Sequence, residues 1–332
     1  MHEKRREAYL EAVRNNSLAL RTVPLEFRDR EICLEAVKKH GFVLKYVPEE
    51  LRDREMCLEA ILSCSSAVEY FPDDLCNREM YCECVTKNGK AIQYVPKEFR
   101  DRKLCVQAVR NNGLALEYVP KEFRDREMCM QAVRNDGLAL EYVPKEFRDR
   151  EMCVDAINND GSAIAYVPEE LCSREICAQA VKNDGMALRF IPDTLKTREM
   201  CLEAVRNNGW VLECVPKNML DREICIEAIR RKSLTIQYVP KNLCDKEMCL
   251  EAVQRVGLAI KHIPEELLDR EIYLEAVKNN GWALAYVPEK LRDKEICAIA
   301  LATHSSITEY IPKKIYKQLI ENYKENVLSP SV

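Results

Sequence analysis

Cysteine is the residue type best able to do chemistry in this chain, and it recurs in register. Ten cysteines (Cys33, Cys57, Cys105, Cys129, Cys153, Cys177, Cys201, Cys225, Cys249 and Cys297) stand nine residues after a proline, and Tyr81 and Tyr273 fill the column elsewhere. A thiol ladder of this kind could bind soft metals or respond to oxidants. It could equally be a file of small apolar side chains at a tight packing position. Zinc needs converging ligands, yet there is no Cys-x-x-Cys and there are only four histidines, His2, His40, His262 and His304. Layers of packed helices lie about 8–10 Å apart, beyond the roughly 7 Å Cα limit of a disulfide. The expectation is free thiols, a reducing compartment and cytoplasmic placement.

Three other columns could carry binding. Six residues after each proline from Pro24 to Pro288 the chain is basic, from Arg30 and Arg54 to Lys294, and the next residue is Glu except at Lys103. Such a ladder either offers a track for anions or nucleic acid, or pairs with carboxylates of its own and neighbouring layers. Twenty-two residues after each proline stands a ring in most units, Tyr46, Tyr94, Tyr118 and Tyr142 among them, with Phe190, Cys214 and His262 as substitutes. Rings in file could stack bases, or pack between one segment and the next with the hydroxyl at the rim. Eighteen residues after each proline the chain varies most: Phe42, Ser66, Lys90, Met186, Trp210, Trp282 and Ser306 share that column, which also holds Leu18, Leu114 and Leu138. A buried slot would not accept Lys, Ser and Trp alike. Phe42, Lys90, Met186, Trp210 and Trp282 are therefore the candidate partner-binding residues, the alternative being the apolar contact that follows a left-handed helix end.

The elements that must position these columns follow from the spacing of proline and glycine. Thirteen prolines, from Pro24 to Pro312, lie 24 residues apart without a gap, and all nine glycines fall 17 residues after a proline. A fixed period of this length, unbroken, is the mark of a solenoid, in which each unit buries its apolar face against its neighbours. In the unit from Asp125 to Arg148, Asp125 is an N-cap, and Met128, Cys129, Met130, Ala132 and Val133 form the buried stripe of a helix of about 11 residues. Gly137 is expected to end that helix in the left-handed conformation. Leu138 to Val143 then make a short second helix that Pro144 closes, and Phe147 plugs a single turn into the core. Period-2 alternation is absent, so the fold class is all-α: an elongated α-helical solenoid of about thirteen repeats.

The expected organisation is a single repeat array over residues 1–312 opened by a polar capping helix over 1–16, a C-terminal capping helix over 313–328, and a frayed tail over 329–332. No run of about 18 apolar residues occurs, so no membrane span is expected. Met1 to Arg6 lead into a helical pattern without the apolar core of a signal peptide. A formal net charge of -4 leaves no excess positive field, which disfavours nucleic acid as a partner.

The D-R-E-x-C core and the A-V-x-N-x-G-x-A-L-x-Y-V run, as they stand in Asp125 to Val143, resemble the repeats of the family known as domain of unknown function 4116, over about residues 5 to 312. The resemblance implies an all-helical interaction scaffold, of a kind associated with secreted effectors of intracellular bacteria and with large viruses and protists; a host-cell cytosol is then the site of action. It carries no catalytic residues over. No Ser/His/Asp, Cys/His or paired-carboxylate set breaks the periodicity, so no enzyme, cofactor or small-molecule substrate is expected. The expected function is a non-enzymatic scaffold for a protein partner. The rivals are a cysteine-based metal or redox array, and an anion or nucleic-acid track on the arginine ladder.

Overall fold

The structure, a computed structural model, describes residues 2–328, with side chains through residue 321. Every element in it is helical, and no strand occurs among the described residues. The chain forms two compact units, Met1–Cys172 and Ser173–Val332. Each is a stack of the same repeat, so one repeat from each unit serves to explain both.

In the first unit the helix Arg126–Asn135 begins where Asp125, in extended conformation, accepts a hydrogen bond from the Met128 amide at 2.9 Å. Every ten-residue helix after the first starts in this way, with Asn77, Ser173 or Thr197 in place of aspartate in three of them. Asp136 ends the helix, again in extended conformation, and its carboxylate accepts from the Leu138 amide at 3.1 Å. That bond starts a six-residue 3₁₀ helix, Gly137–Tyr142. Pro144, with no N–H to donate, stops it. A second 3₁₀ turn, Lys145–Phe147, leads to the next cap. The expected short second helix is thus a 3₁₀ helix, and the closing turn is only half plugged: Phe27 is buried, but Phe99, Phe123 and Phe147 are half-buried.

The glycine column has a different cause from the one the sequence suggests. No described residue, glycine included, has a left-handed φ. What demands glycine is the neighbouring repeat: a Cβ on Gly185 would lie 2.6 Å from the Ala204 carbonyl oxygen, and one on Gly209 2.7 Å from that of Ala228. The left-handed helix end that would have absorbed the side chains of Trp210 and Trp282 as local contacts is therefore absent. The core runs along the same seam. Met128, Cys129, Ala132 and Val133 from the helix meet Ala139, Leu140 and Val143 from the 3₁₀ segment, all of them buried. Each large side chain among them contributes about 1.5–3 kcal/mol.

Helices occupy both ends of the described chain, His2–Asn15 and Lys313–Leu328. Residues 329–332, the expected frayed tail, lie outside the described residues. No helix among the described residues is long and apolar enough to cross a membrane.

Candidate interaction surface

Most of the basic ladder is spent on holding repeats together; Arg174, whose following cap is Thr197, forms no such pair among the described residues. Arg126 donates to Asp149 at 2.8 Å and to Glu151 at 2.7 Å, the cap and first-turn acid of the following repeat. Arg198 does the same to Asp221 and Glu223, at 2.6 Å each, and Lys246 to Asp269 and Glu271. Cap and ion pair act on one carboxylate: Arg102 and the Met128 amide together hold the Asp125 carboxyl below the usual aspartate range. These pairs are exposed and individually weak, but they neutralise the ladder that an anion would need.

A second arginine column, four residues after the proline, escaped the reading of the sequence. Arg124 reaches no carboxylate. Its Nε donates to the Val119 carbonyl at 2.9 Å, Nη1 to that of Tyr142 in the following repeat at 3.0 Å, and Nη2 to that of Glu117 at 3.0 Å. Arg28, Arg52, Arg100 and Arg148 repeat all three bonds, and Arg292 two of them. Burial lowers the pKa of the Arg124 guanidinium. Lys196 substitutes with one bond, 3.0 Å to the Cys214 carbonyl, beside Asp193 at 2.8 Å. Replacing Arg124 by leucine should cost about 2 kcal/mol of stability, because three carbonyls lose a charged donor but stay near water. Arg124→Lys should lose less, as Lys196 illustrates; urea denaturation midpoints measure both.

Asparagine makes a third bridge. Asn111 accepts from the Gly89 amide of the preceding repeat at 2.6 Å and donates to the Thr86 carbonyl at 2.8 Å; Asn135 serves Gly113 and Arg110 in the same way. The Asn-Asn-Gly run therefore contains one residue for the neighbour, one cap and one close approach.

The cysteine column is the packing file. All 17 cysteines are free, and the ten of the column are buried. Burial pushes the Cys129 thiol up to about 11 and that of Cys33 up to about 12, which leaves them protonated and poor nucleophiles near neutrality. Cys244 and Cys249 touch at 3.8 Å across a helix start. Among the described residues no group of three or more His, Cys, Asp or Glu converges as a metal-ligating set.

The candidate partner-binding residues all stand second in a 3₁₀ segment. The amides of Lys90, Met186, Trp210 and Trp282 are held by the side chains of Asn88, Asp184, Asn208 and Asn280. Phe42 follows His40, whose ring lies 5.9 Å away and makes no cap bond. Lys90, Trp210 and Trp282 are exposed, the tryptophans at 37% each; Phe42 and Met186 are half-buried. Trp210 meets Tyr238 of the following repeat edge-on at 6.5 Å, and Trp282 meets Tyr310 and His304 at 6.4 Å. The varying column thus joins the ring column, a link that spacing alone did not suggest. Lys45 sits over both Phe42 and Tyr46, 5.8 and 5.0 Å from the ring centres. Trp210 and Trp282 are three repeats apart in sequence in the second unit, with Met186 one repeat before Trp210, and Phe42 and Lys90 belong to the first unit. Glutamates border the ring column. Burial, with Glu117 and Glu141 beside it, pushes the Tyr142 hydroxyl up to about 12.

A family model described as Domain of unknown function (DUF4116) matches residues 5–52, 29–76, 53–100, 77–124, 125–172, 173–220, 221–268 and 269–316. Each match spans two repeats, and successive matches advance in phase with the prolines. No curated protein matches the chain.

Proposed function

We propose, for a chain that belongs to the DUF4116 family, that its function is to hold a protein partner as a non-enzymatic scaffold. The observation that carries this reading is the pair Trp210 and Trp282, large rings left exposed on backbone that their Asn caps hold in place. Exposed aromatic anchors on rigid backbone are typical of interface hot spots. The periodic polar residues support the non-enzymatic part, since most of the arginines, asparagines and cap aspartates are taken up in bonds between repeats. A nucleic-acid track is the weaker reading, because carboxylates face the arginine ladder and border the ring column. Seventeen free thiols favour a reducing compartment, the cytoplasm or, for a secreted effector, the cytosol of a host.

The test is the double substitution Trp210→Ser and Trp282→Ser, a residue that Ser66 and Ser162 already place in this column. Trp210→Ser removes one edge-to-face contact and Trp282→Ser two, each worth about 1 kcal/mol, so the thermal midpoint should fall modestly. Capture of partner from the native host should fall about 30-fold or more per anchor, in keeping with hot-spot losses of about 2 kcal/mol. Undiminished capture by a folded double variant would defeat the reading.

A further inference from the structure

Where leucine takes the place of the bridging arginine, the bridge's main-chain acceptors lose their donor. Leu220 and Leu268 occupy that position in the second unit, and Leu268 lines a cleft. By the spacing that Arg124 obeys, the three acceptors at Leu268 are the carbonyls of Lys261, Ile263 and Tyr286. No hydrogen bond from the described residues reaches any of them, and Pro264 has no N–H for the Lys261 carbonyl. The space also differs. Arg100 and Arg124 line open clefts between successive turns, of about 710 and 670 Å³, that do not reach core residues such as Leu116 or Cys129. At Leu268 a cleft of about 550 Å³ runs past the shorter side chain to Ile260, Ile263 and Tyr273. In the repeat before, Cys244 closes the equivalent position by packing on Cys249 at 3.8 Å.

We propose that this vacated seat binds a guanidinium group supplied in trans, the side chain of an arginine in a partner protein. Five repeats of the same chain show how the group sits: a planar fork whose Nε, Nη1 and Nη2 each find a carbonyl, at 2.7–3.5 Å. An ammonium serves the seat less well, since Lys196 reaches one carbonyl where arginine reaches three. The walls suit the rest of the side chain. Pro288 and Leu291 offer apolar surface to its methylenes, Tyr286 is 46% exposed for stacking, and Glu265 stands at the rim as a counter-charge, while Lys261 and Lys290 at the same rim limit how many arginines can crowd there. The seat rests on the scaffold reading only for the source of the arginine; whether a guanidinium binds is a separate question.

The full-length protein is titrated by calorimetry with a short capped peptide carrying one arginine, with its lysine and citrulline counterparts, and with free arginine. The arginine peptide should bind at the Leu268 seat at least about tenfold tighter than the lysine or citrulline peptide. Leu268→Arg should abolish that binding, because the chain now fills the seat as Arg292 does one repeat later, and its thermal midpoint should hold or rise. No saturable binding, equal binding of the lysine peptide, or undiminished binding by a folded Leu268→Arg variant would each overturn the site. Free arginine binding as tightly as the peptide would overturn its assignment to a protein partner. Trp210→Ser with Trp282→Ser should leave the peptide affinity unchanged, so failure of the tryptophan surface and failure of this seat are read separately.

Discussion

Gly185→Val should destabilise the protein by roughly 3–4 kcal/mol, and Gly185→Ala by roughly 2, measured by chemical denaturation followed by circular dichroism. The first atom added would stand 2.6 Å from the Ala204 carbonyl oxygen and 3.0 Å from Asn207 Cβ, so backbone and not a flexible side chain must give way. Moving the repeats apart there also stretches the bond from the Gly185 amide to Asn207, already 3.2 Å. Against this stands a gain of up to about 1 kcal/mol, because alanine restricts the unfolded chain more than glycine does. The steric loss is the larger, so the sign is destabilising. If the glycine instead served a left-handed helix end, the loss would arise from a positive φ, and this residue has none. An alanine variant as stable as the parent would show that the seam is slack. Serine does occur in the column, and buried Ser17 bonds His40 at 2.7 Å, so a Cβ is tolerated where the neighbouring repeat has adjusted to it.

That case shows where the sequence could be read and where it could not. Asp125 was legible as a cap because its partner, the Met128 amide, is three residues away and the rule is local. The ladder from Arg126 to Asp149 was legible because both members are charged side chains at fixed spacing. Gly137 was legible as a necessity, yet its reason was misread: the same letter satisfies a left-handed turn and a close approach, and only the position of Ala156 in the next repeat separates them. Arg124 was silent because its acceptors are main-chain carbonyls, which every residue carries and no letter announces. Asn111 was hidden in the same way, with the Gly89 amide on one side and the Thr86 carbonyl on the other. The exposed tryptophans were found as a varying column, but their contact with Tyr238 and Tyr310 depends on how successive 3₁₀ segments stack.

Every bridge so described has a set reach in sequence, 18 residues for Arg124 to Tyr142, 22 for Gly89 to Asn111 and 23 for Arg102 to Asp125. Removing Asp125 to Arg148 should therefore leave a folded protein with unchanged helical character per residue. Arg102 would meet Asp149 and Arg124 would meet the Tyr166 carbonyl, the same partners one repeat on, so the stack loses one unit and one interface. Half a repeat inserted after Met130 should behave differently. In a surface loop such an insert could bulge out at little cost, but inside the helix Arg126–Asn135 it must continue the backbone bonding or break it. Either way Ala132 no longer faces Gly113, and Asn135 no longer reaches the Gly113 amide at 2.8 Å. Several bridges are lost together with buried apolar contacts, a combined loss of more than about 4 kcal/mol that should appear as proteolysis at the insertion and a second, lower unfolding transition. A whole repeat, residues 131–154 duplicated at that same point, restores every spacing and should be tolerated. Equal stability of the half-repeat and whole-repeat insertions would mean that the bridges at 18, 22 and 23 residues are not what holds the stack in register.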